Sequence, residues 1–298
     1  MSSPRSLPFW RSLLFVPATN PRFIDRAHER GADAIIVDLE DSIPASEKAT
    51  ARAGVSSAID FLARRGCQVL VRVNNSDHLV ADLERVVQPG LFAVDVPKVA
   101  DGAQLRRIDE LVAGLEQKAG LPIGGIRLKL VIESASALMS LQSIADFARE
   151  NARVVAMTLG NEDLAAELGV EPSVVNLFHP CQQIVLAARS AGVLPLGYPG
   201  SVSDFRDLSG LRANIRRART MGLVGSSCIH PSHVPILNEG FAPGAAEIAK
   251  AQRIVAAAEE AARQGIGAFD LDGHMIDEPI IQRARRLCEH AARAAQRK

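Results

Sequence analysis

Eight short apolar runs recur along the first 240 positions, at 12–18, 34–41, 69–74, 92–99, 127–134, 154–160, 194–198 and 223–229. Between them lie amphipathic segments with apolar residues at helical spacing, at 21–30, 47–65, 104–118, 137–150, 181–191 and 204–221. Strand-then-helix units repeated eight times predict an α/β fold, a (β/α)8 TIM barrel spanning 10–241, with its site at the C-terminal ends of the strands. An open doubly wound sheet is the competing layout. It is disfavoured because no G-x-G-x-x-G follows the first strand and because eight units are what closure needs. After Phe241-Ala-Pro-Gly244 the pattern changes to an Ala-rich helix at 245–264, a Gly/Asp loop at 265–273 and an Arg- and Ala-rich helix at 279–297. Alanine-rich helices bury little area each, so 245–298 is expected to be a helical lid or oligomerisation segment resting on the barrel or on a neighbouring subunit.

Composition narrows the partners. The 298 residues are 47% hydrophobic and 23% charged, enough for a well-filled core. Lys plus Arg equals Asp plus Glu at 34 each, so no net field draws the chain toward nucleic acid or a membrane surface. Cys67, Cys181, Cys228 and Cys288 form no C-x-x-C pair, which fits reduced thiols in a cytoplasmic protein. The stretch from Arg11 to Ala18 is too short in its apolar part for a signal peptide and reads as the first strand. No run reaches the roughly 18 apolar residues of a membrane span.

The strand ends carry the chemistry. Glu133 closes the fifth run and Asp163 follows the sixth, so neighbouring parallel strands would bring them about 5 to 10 Å apart at one rim. Two carboxylates with the other positions left to water and substrate suit Mg²⁺. Each could instead cap the helix that follows it. Arg72 ends the third run and offers a planar fork for a substrate carboxylate, or for Asp38 or Glu40. Lys98, after Pro97, could neutralise a site carboxylate, bind substrate by approaching a phosphate, or remain a solvated charge. Asp38, Glu40 and Asp41 form the densest acidic cluster and are expected to orient waters or Arg72. His179 and His230 lack the spacing of a histidine metal site and read as hydrogen-bonded structural groups.

These residues together spell a pattern. Arg11-Ser-Leu-Leu-Phe-Val-Pro17, Asp38-Leu-Glu-Asp-Ser-Ile-Pro44 with Lys48 and Arg52, Val71-Arg-Val-Asn74, Val96-Pro-Lys98, Val131-Ile-Glu-Ser134, Leu159-Gly-Asn-Glu-Asp-Leu164, Cys228-Ile-His-Pro231 and Gly273-His-Met-Ile-Asp277 run in order along almost the whole chain. They resemble the citrate lyase beta-subunit-like family, which includes malyl-CoA and citramalyl-CoA lyases. The resemblance implies Mg²⁺ dependence, reversible carbon–carbon cleavage of 3-hydroxyacyl thioesters and assembly as trimers or hexamers. It assigns the metal to Glu133 and Asp163, the substrate carboxylate to Arg72 and a wall of the site to Phe15. Asp277 becomes the lid acid reaching an adjacent subunit's site. One departure stands out: the first loop reads Ala18-Thr-Asn20-Pro21, where several malyl-CoA lyases have Gly-Ser-Arg-Pro.

The activity this implies is cleavage of a citramalyl-CoA or malyl-CoA type thioester to acetyl-CoA and pyruvate or glyoxylate. Three alternatives remain open: a citryl lyase subunit working on an acyl carrier protein, a barrel aldolase acting on free keto acids, and a catalytically silent assembly subunit.

Overall fold

The computed structural model describes residues 6–203 and 205–296. These form two compact units divided between Asn238 and Glu239. The first alternates β1 (Ser12–Pro17), α1 (Pro21–Ala27), β2 (Ala34–Asp38), α2 (Lys48–Ala63), β3 (Val69–Arg72), α3 (Leu79–Val86), β4 (Leu91–Val96) and α4 (Gly102–Lys118). It continues through β5 (Arg127–Ile132), α5 (Ala135–Met139), α6 (Leu141–Glu150), β6 (Val154–Leu159), α7 (Asn161–Leu168), α8 (Val174–Ala191), β7 (Leu194–Leu196), α9 (Leu208–Met221) and β8 (Ser226–Cys228). The chain goes on as α10 (His233–Phe241).

Eight parallel strands pair in the order β7-β6-β5-β4-β3-β2-β1-β8. Two bonds link the outermost strands, Gly197 N–H to Gly225 O at 2.8 Å and Val224 N–H to Pro195 O at 3.1 Å. The barrel expected from the repeat is therefore present and nearly closed. Its interior is layered. Leu13, Ile36, Leu70, Ala93, Ala156 and Leu196 fill an apolar layer sealed by buried Trp10, whose indole N–H donates to Gln68 at 2.8 Å. The register then lines up Asp38 with Arg72, Arg72 with Asp95 and Asp95 with Lys129 across four consecutive strands. Register partners of a parallel sheet share a face, so a belt of alternating charge tops the apolar plug.

Helix ends follow local chemistry. Asp101, Ser173 and Asp207 cap α4, α8 and α9, each accepting from a backbone N–H three residues on, and α8 and α9 stop at left-handed Gly192 and Gly222. Several boundaries differ from expectation. The 137–150 helix is two helices meeting at Ser140. The helix expected from 181 begins at Val174 because Ser173 caps it, and Pro180 lies inside it. The helix expected from 204 begins at Leu208, and position 204 lies outside the described residues.

In the second unit, α11 (Ala245–Arg263) and α12 (Glu278–Ala295) pack through Ala251, Ile254, Ala258, Ile281 and Ala284. Position 297, expected to end the last helix, lies outside the described residues. The stretch 265–273, expected as a loop, contributes to a hairpin of β9 (Phe269–Leu271) and β10 (His274–Ile276). Its turn is Asp272-Gly273, both at positive φ (56° and 78°), the pair of conformations a two-residue hairpin requires.

Candidate active site

A cavity of about 300 Å³ opens at the C-terminal ends of the barrel strands, and the residues that line it come from β1, β2, β3, β5, β6, β8 and the loops that follow strands. Glu133 leaves the end of β5. Asp163 lies in the first turn of α7, which follows β6 after Gly160 alone. Both carboxyls line the cavity. Glu133 is buried, and burial reinforced by the charge of Asp163 pushes its carboxyl up to about 8.

Two backbone features fix Glu133. Lys98 adopts a left-handed conformation, φ 49°, uncommon outside glycine, and its N–H donates to Glu133 Oε1 at 2.5 Å. On the other side Gly160 presses against the carboxylate: a Cβ built there would lie 2.4 Å from both Cβ and Oε2 of Glu133. The missing side chain thus leaves the space Glu133 occupies.

Arg72 and Phe15 face the same cavity, with the guanidinium stacked 4.7 Å from the ring centroid. The arginine fork is engaged. Nε and Nη2 each donate at 2.7 Å to the two oxygens of buried Asp38, while Nη1 lies 3.1 Å from both Glu40 and Asp41. Burial alone would raise the Asp38 carboxyl, but the bonds to Arg72 and Ser42 outweigh it and hold it below its usual range. Glu40 moves the other way, raised chiefly by burial. The Lys98 ammonium pairs with Glu40 and lies 3.4 Å from Asp41. Asp38, Glu40 and Asp41 therefore hold Arg72 and Lys98. What remains for a substrate is Nη1 of Arg72, which faces buried Glu40 as well as exposed Asp41, and the second N–H of Nη2.

The charge balance of this rim favours a cation. Six carboxyls, Asp38, Glu40, Asp41, Glu133, Glu162 and Asp163, meet three cations, Arg72, Lys98 and Lys129, the last already paired with a seventh carboxyl, Asp95. Among the described residues no group of three or more His, Cys, Asp or Glu is set to hold a metal without help. A buried acid beside an exposed one, with open cavity between them, fits a hard divalent ion that keeps positions for water and substrate.

Sequence reasoning missed three features. Asp95 and Lys129, both buried, pair at 2.8 Å on adjoining strands, and Lys129 lines the cavity. Their signal was visible as lone charges inside apolar strand runs. Asn161 anchors the loop after β7 by donating to Tyr198 O at 2.7 Å and Gly200 O at 2.6 Å. Glu162 accepts from Ser201 Oγ at 2.7 Å and Val202 N–H at 2.9 Å. Of the remaining candidates, Asp277 caps α12 in the second unit. His230 bonds Ser232 Oγ at 2.7 Å and stacks on Phe205, and His179 is an exposed residue of α8.

Known proteins match over most of the chain. Citrate lyase subunit beta of Escherichia coli is 34% identical over 286 residues, covering 94% of this chain and 93% of its own. The L-malyl-CoA/beta-methylmalyl-CoA lyase of Cereibacter sphaeroides is 32% identical over 305 residues, covering 94% of both. Among solved structures, the CitE protein of Mycobacterium tuberculosis in complex with magnesium, acetoacetate and coenzyme A aligns with a TM-score of 0.74 at 27% identity, covering 97% of this chain and 99% of that one. Residues 11–231 match the family model described as HpcH/HpaI aldolase/citrate lyase, and the chain belongs to that family.

Proposed function

We propose that this protein is a Mg²⁺-dependent carbon–carbon lyase that cleaves a 3-hydroxyacyl-CoA thioester of the citramalyl-CoA or malyl-CoA type, reversibly, to acetyl-CoA and a 2-oxo acid, pyruvate or glyoxylate. The observation that carries this reading is the Glu133–Asp163 pair: two carboxyls from consecutive strand–helix units lining one cavity rich in negative charge. Relatives over the same length act on malyl-CoA, and a structure at 27% identity holds magnesium, an oxo acid and coenzyme A.

Glu133 and Asp163 would hold the cation, which when bound polarises the oxygen of the hydroxy acid as a Lewis acid. Arg72 Nη1 would take the substrate carboxylate in exchange for Asp41, while Asp38 keeps the rest of the fork rigid. Phe15 forms the wall beneath that guanidinium. Once the hydroxyl proton has passed to solvent water, the alkoxide collapses to a carbonyl, the carbon–carbon bond breaks, and its electron pair leaves as a thioester enolate. Asp277 is assigned the acid that returns a proton to the enolate carbon, or removes one in the condensing direction. In this reading the C-terminal unit is a lid acting within a trimer or hexamer, shielding the enolate from water.

The test is a coupled incubation of purified protein with Mg²⁺, acetyl-CoA and either pyruvate or glyoxylate, following thioester products by mass. Formation of a hydroxyacyl-CoA that stops in Glu133→Gln supports the reading; no product with either acid overturns it. The 34% identity to a citrate lyase subunit beta favours one second reading, a citryl lyase acting on an acyl carrier protein. A citryl thioester on carrier protein, offered beside the CoA substrates, separates the two.

A further inference from the structure

The peptide unit that holds Glu133 is gripped at its other end by a residue with no role so far. Lys98 N–H donates to Glu133 Oε1 at 2.5 Å. The carbonyl of the same unit, Pro97 O, accepts from Nδ2 of half-buried Asn75 at 2.8 Å, and the next carbonyl, Lys98 O, accepts from that nitrogen at 3.1 Å. Among the described residues no peptide bond is cis, so the C=O and N–H of this unit point in opposite directions. Asn75, by holding one end, aims the other at Glu133.

The same peptide carries the strain. Lys98 has φ 49°, a left-handed conformation that crowds any residue with a Cβ. Turning the Pro97–Lys98 peptide over would carry that φ into the extended region, where lysine rests without cost. The same turn would swing the N–H away from Glu133 and bring the Pro97 carbonyl oxygen round toward the carboxyl. Relief of strain and loss of the Glu133 contact are therefore one motion. Beyond the kink, Val99 N–H rejoins β5 at Val131 O, 3.3 Å away, so the chain on that side stays tied to the strand that leads to Glu133. A strained residue persists only where its surroundings over-determine it, and here the hydrogen bonds opposing the turn are those of Glu133 at one end and Asn75 at the other.

We propose, building on the lyase reading above, that Asn75 is a positioning residue for the metal centre: its amide keeps the Pro97–Lys98 peptide turned so that Lys98 N–H holds Glu133 ready to ligate. Asn75 touches neither ion nor substrate in this role and acts through backbone alone. Without its donors the peptide relaxes by turning over, and Glu133 meets a carbonyl oxygen in place of an N–H. Groups that orient a metal ligand from outside are worth about 10- to 100-fold in affinity. Glycine at position 98 removes the reason to turn, because it adopts positive φ as readily as negative. The dependence on Asn75 then shrinks.

The experiment pairs Mn²⁺ titration with amide spectroscopy of the metal-free protein labelled with ¹⁵N-lysine; the chain has six lysines, and the resonance missing from Lys98→Gly identifies Lys98. The wild-type Lys98 amide is expected far downfield, as a short bond to a carboxyl oxygen places it. Asn75→Ala moves it upfield and weakens Mn²⁺ about tenfold. In the Lys98→Gly background the same substitution weakens Mn²⁺ by about threefold or less, a coupling that a general loss of structure would not produce. Asn75→Asp keeps the side-chain shape, removes the donors and adds a negative charge. Charge alone would tighten cation binding, whereas the peptide argument requires weakening, and this variant serves if Asn75→Ala does not fold. Wild-type affinity in the folded variants, equal losses in the two backgrounds or an unmoved Lys98 amide overturns the proposal. A wild type that binds no Mn²⁺ while its Lys98 amide stands downfield removes the lyase reading, and this inference with it.

Discussion

Replacing Gly160 with alanine adds one methyl group against Glu133, one of the two carboxyls proposed to hold the metal. Gly160 has φ −85° and ψ 94°, a conformation alanine adopts without strain, so the backbone gives no reason for the residue to be glycine. The reason is Glu133. The new Cβ would sit 2.4 Å from Glu133 Cβ and Oε2. Carbon atoms settle near 3.5 Å, so the side chain must retreat by about 1 Å. Gly160 N–H is bound to Ile132 O at 2.8 Å, which ties the two segments together and limits backbone relief. The carboxylate therefore moves. Metal ligation tolerates displacements of about 0.2 Å, and a 1 Å error at a reacting centre costs on the order of 100-fold in rate. Gly160→Ala is expected to weaken Mg²⁺ or Mn²⁺ binding at least tenfold, lower kcat/KM by about 100-fold and cost about 1–3 kcal/mol of stability through overpacking. Metal titration by calorimetry, a thermal melt and the thioester assay read these three separately. A folded variant with wild-type metal affinity and turnover would refute the argument that the glycine exists to seat Glu133.

Asp277→Asn keeps an equally good helix cap, so the fold is expected to hold while turnover drops about 100-fold or more and Mg²⁺ affinity stays unchanged; wild-type turnover removes Asp277 from the mechanism. Arg72→Leu strands buried Asp38 and is expected to cost about 3–5 kcal/mol, with a lower Tm. Adding Asp38→Asn should recover part of the Tm and none of the activity; a single variant as stable as wild type would contradict the pairing. Because Glu133 is raised from about 4.5 to about 8, the folded metal-free protein holds a proton across this window that the unfolded chain has released. Its stability therefore falls as pH rises from 4.5 to 8, and Mg²⁺ binding near pH 7 expels the proton. Calorimetry in buffers of different ionisation enthalpy should show release approaching one proton per ion, and none would count against the pair.

The barrel was legible because apolar strand runs and helical spacing are local signals that repeat eight times. The pairing of Glu133 with Asp163 was legible too, since each ends or follows one of two consecutive runs. What Arg72 would touch was not. A strand-end arginine can bond a substrate or a neighbour, and only the register that aligns Asp38 with Arg72 decides how much of its fork is taken. The role of Lys98 in fixing Glu133 is carried by its backbone N–H and its positive φ, which side-chain chemistry does not announce. Asp95 and Lys129 were overlooked because a charge within an apolar run gives no clue whether it faces solvent, helices or barrel. The Asp272-Gly273 turn, by contrast, was a readable hairpin signal between short runs too brief to register as strands.

The central claim is that Glu133 and Asp163 grip one divalent ion that in turn binds a 2-oxo acid. Mn²⁺ titration followed by electron paramagnetic resonance tests it directly, with and without pyruvate or glyoxylate, in wild type, Glu133→Gln and Asp163→Asn. The account predicts one tight site per chain whose spectrum changes on adding the acid, and affinity at least 100-fold weaker in both variants. Unchanged Mn²⁺ binding in the two variants would contradict it.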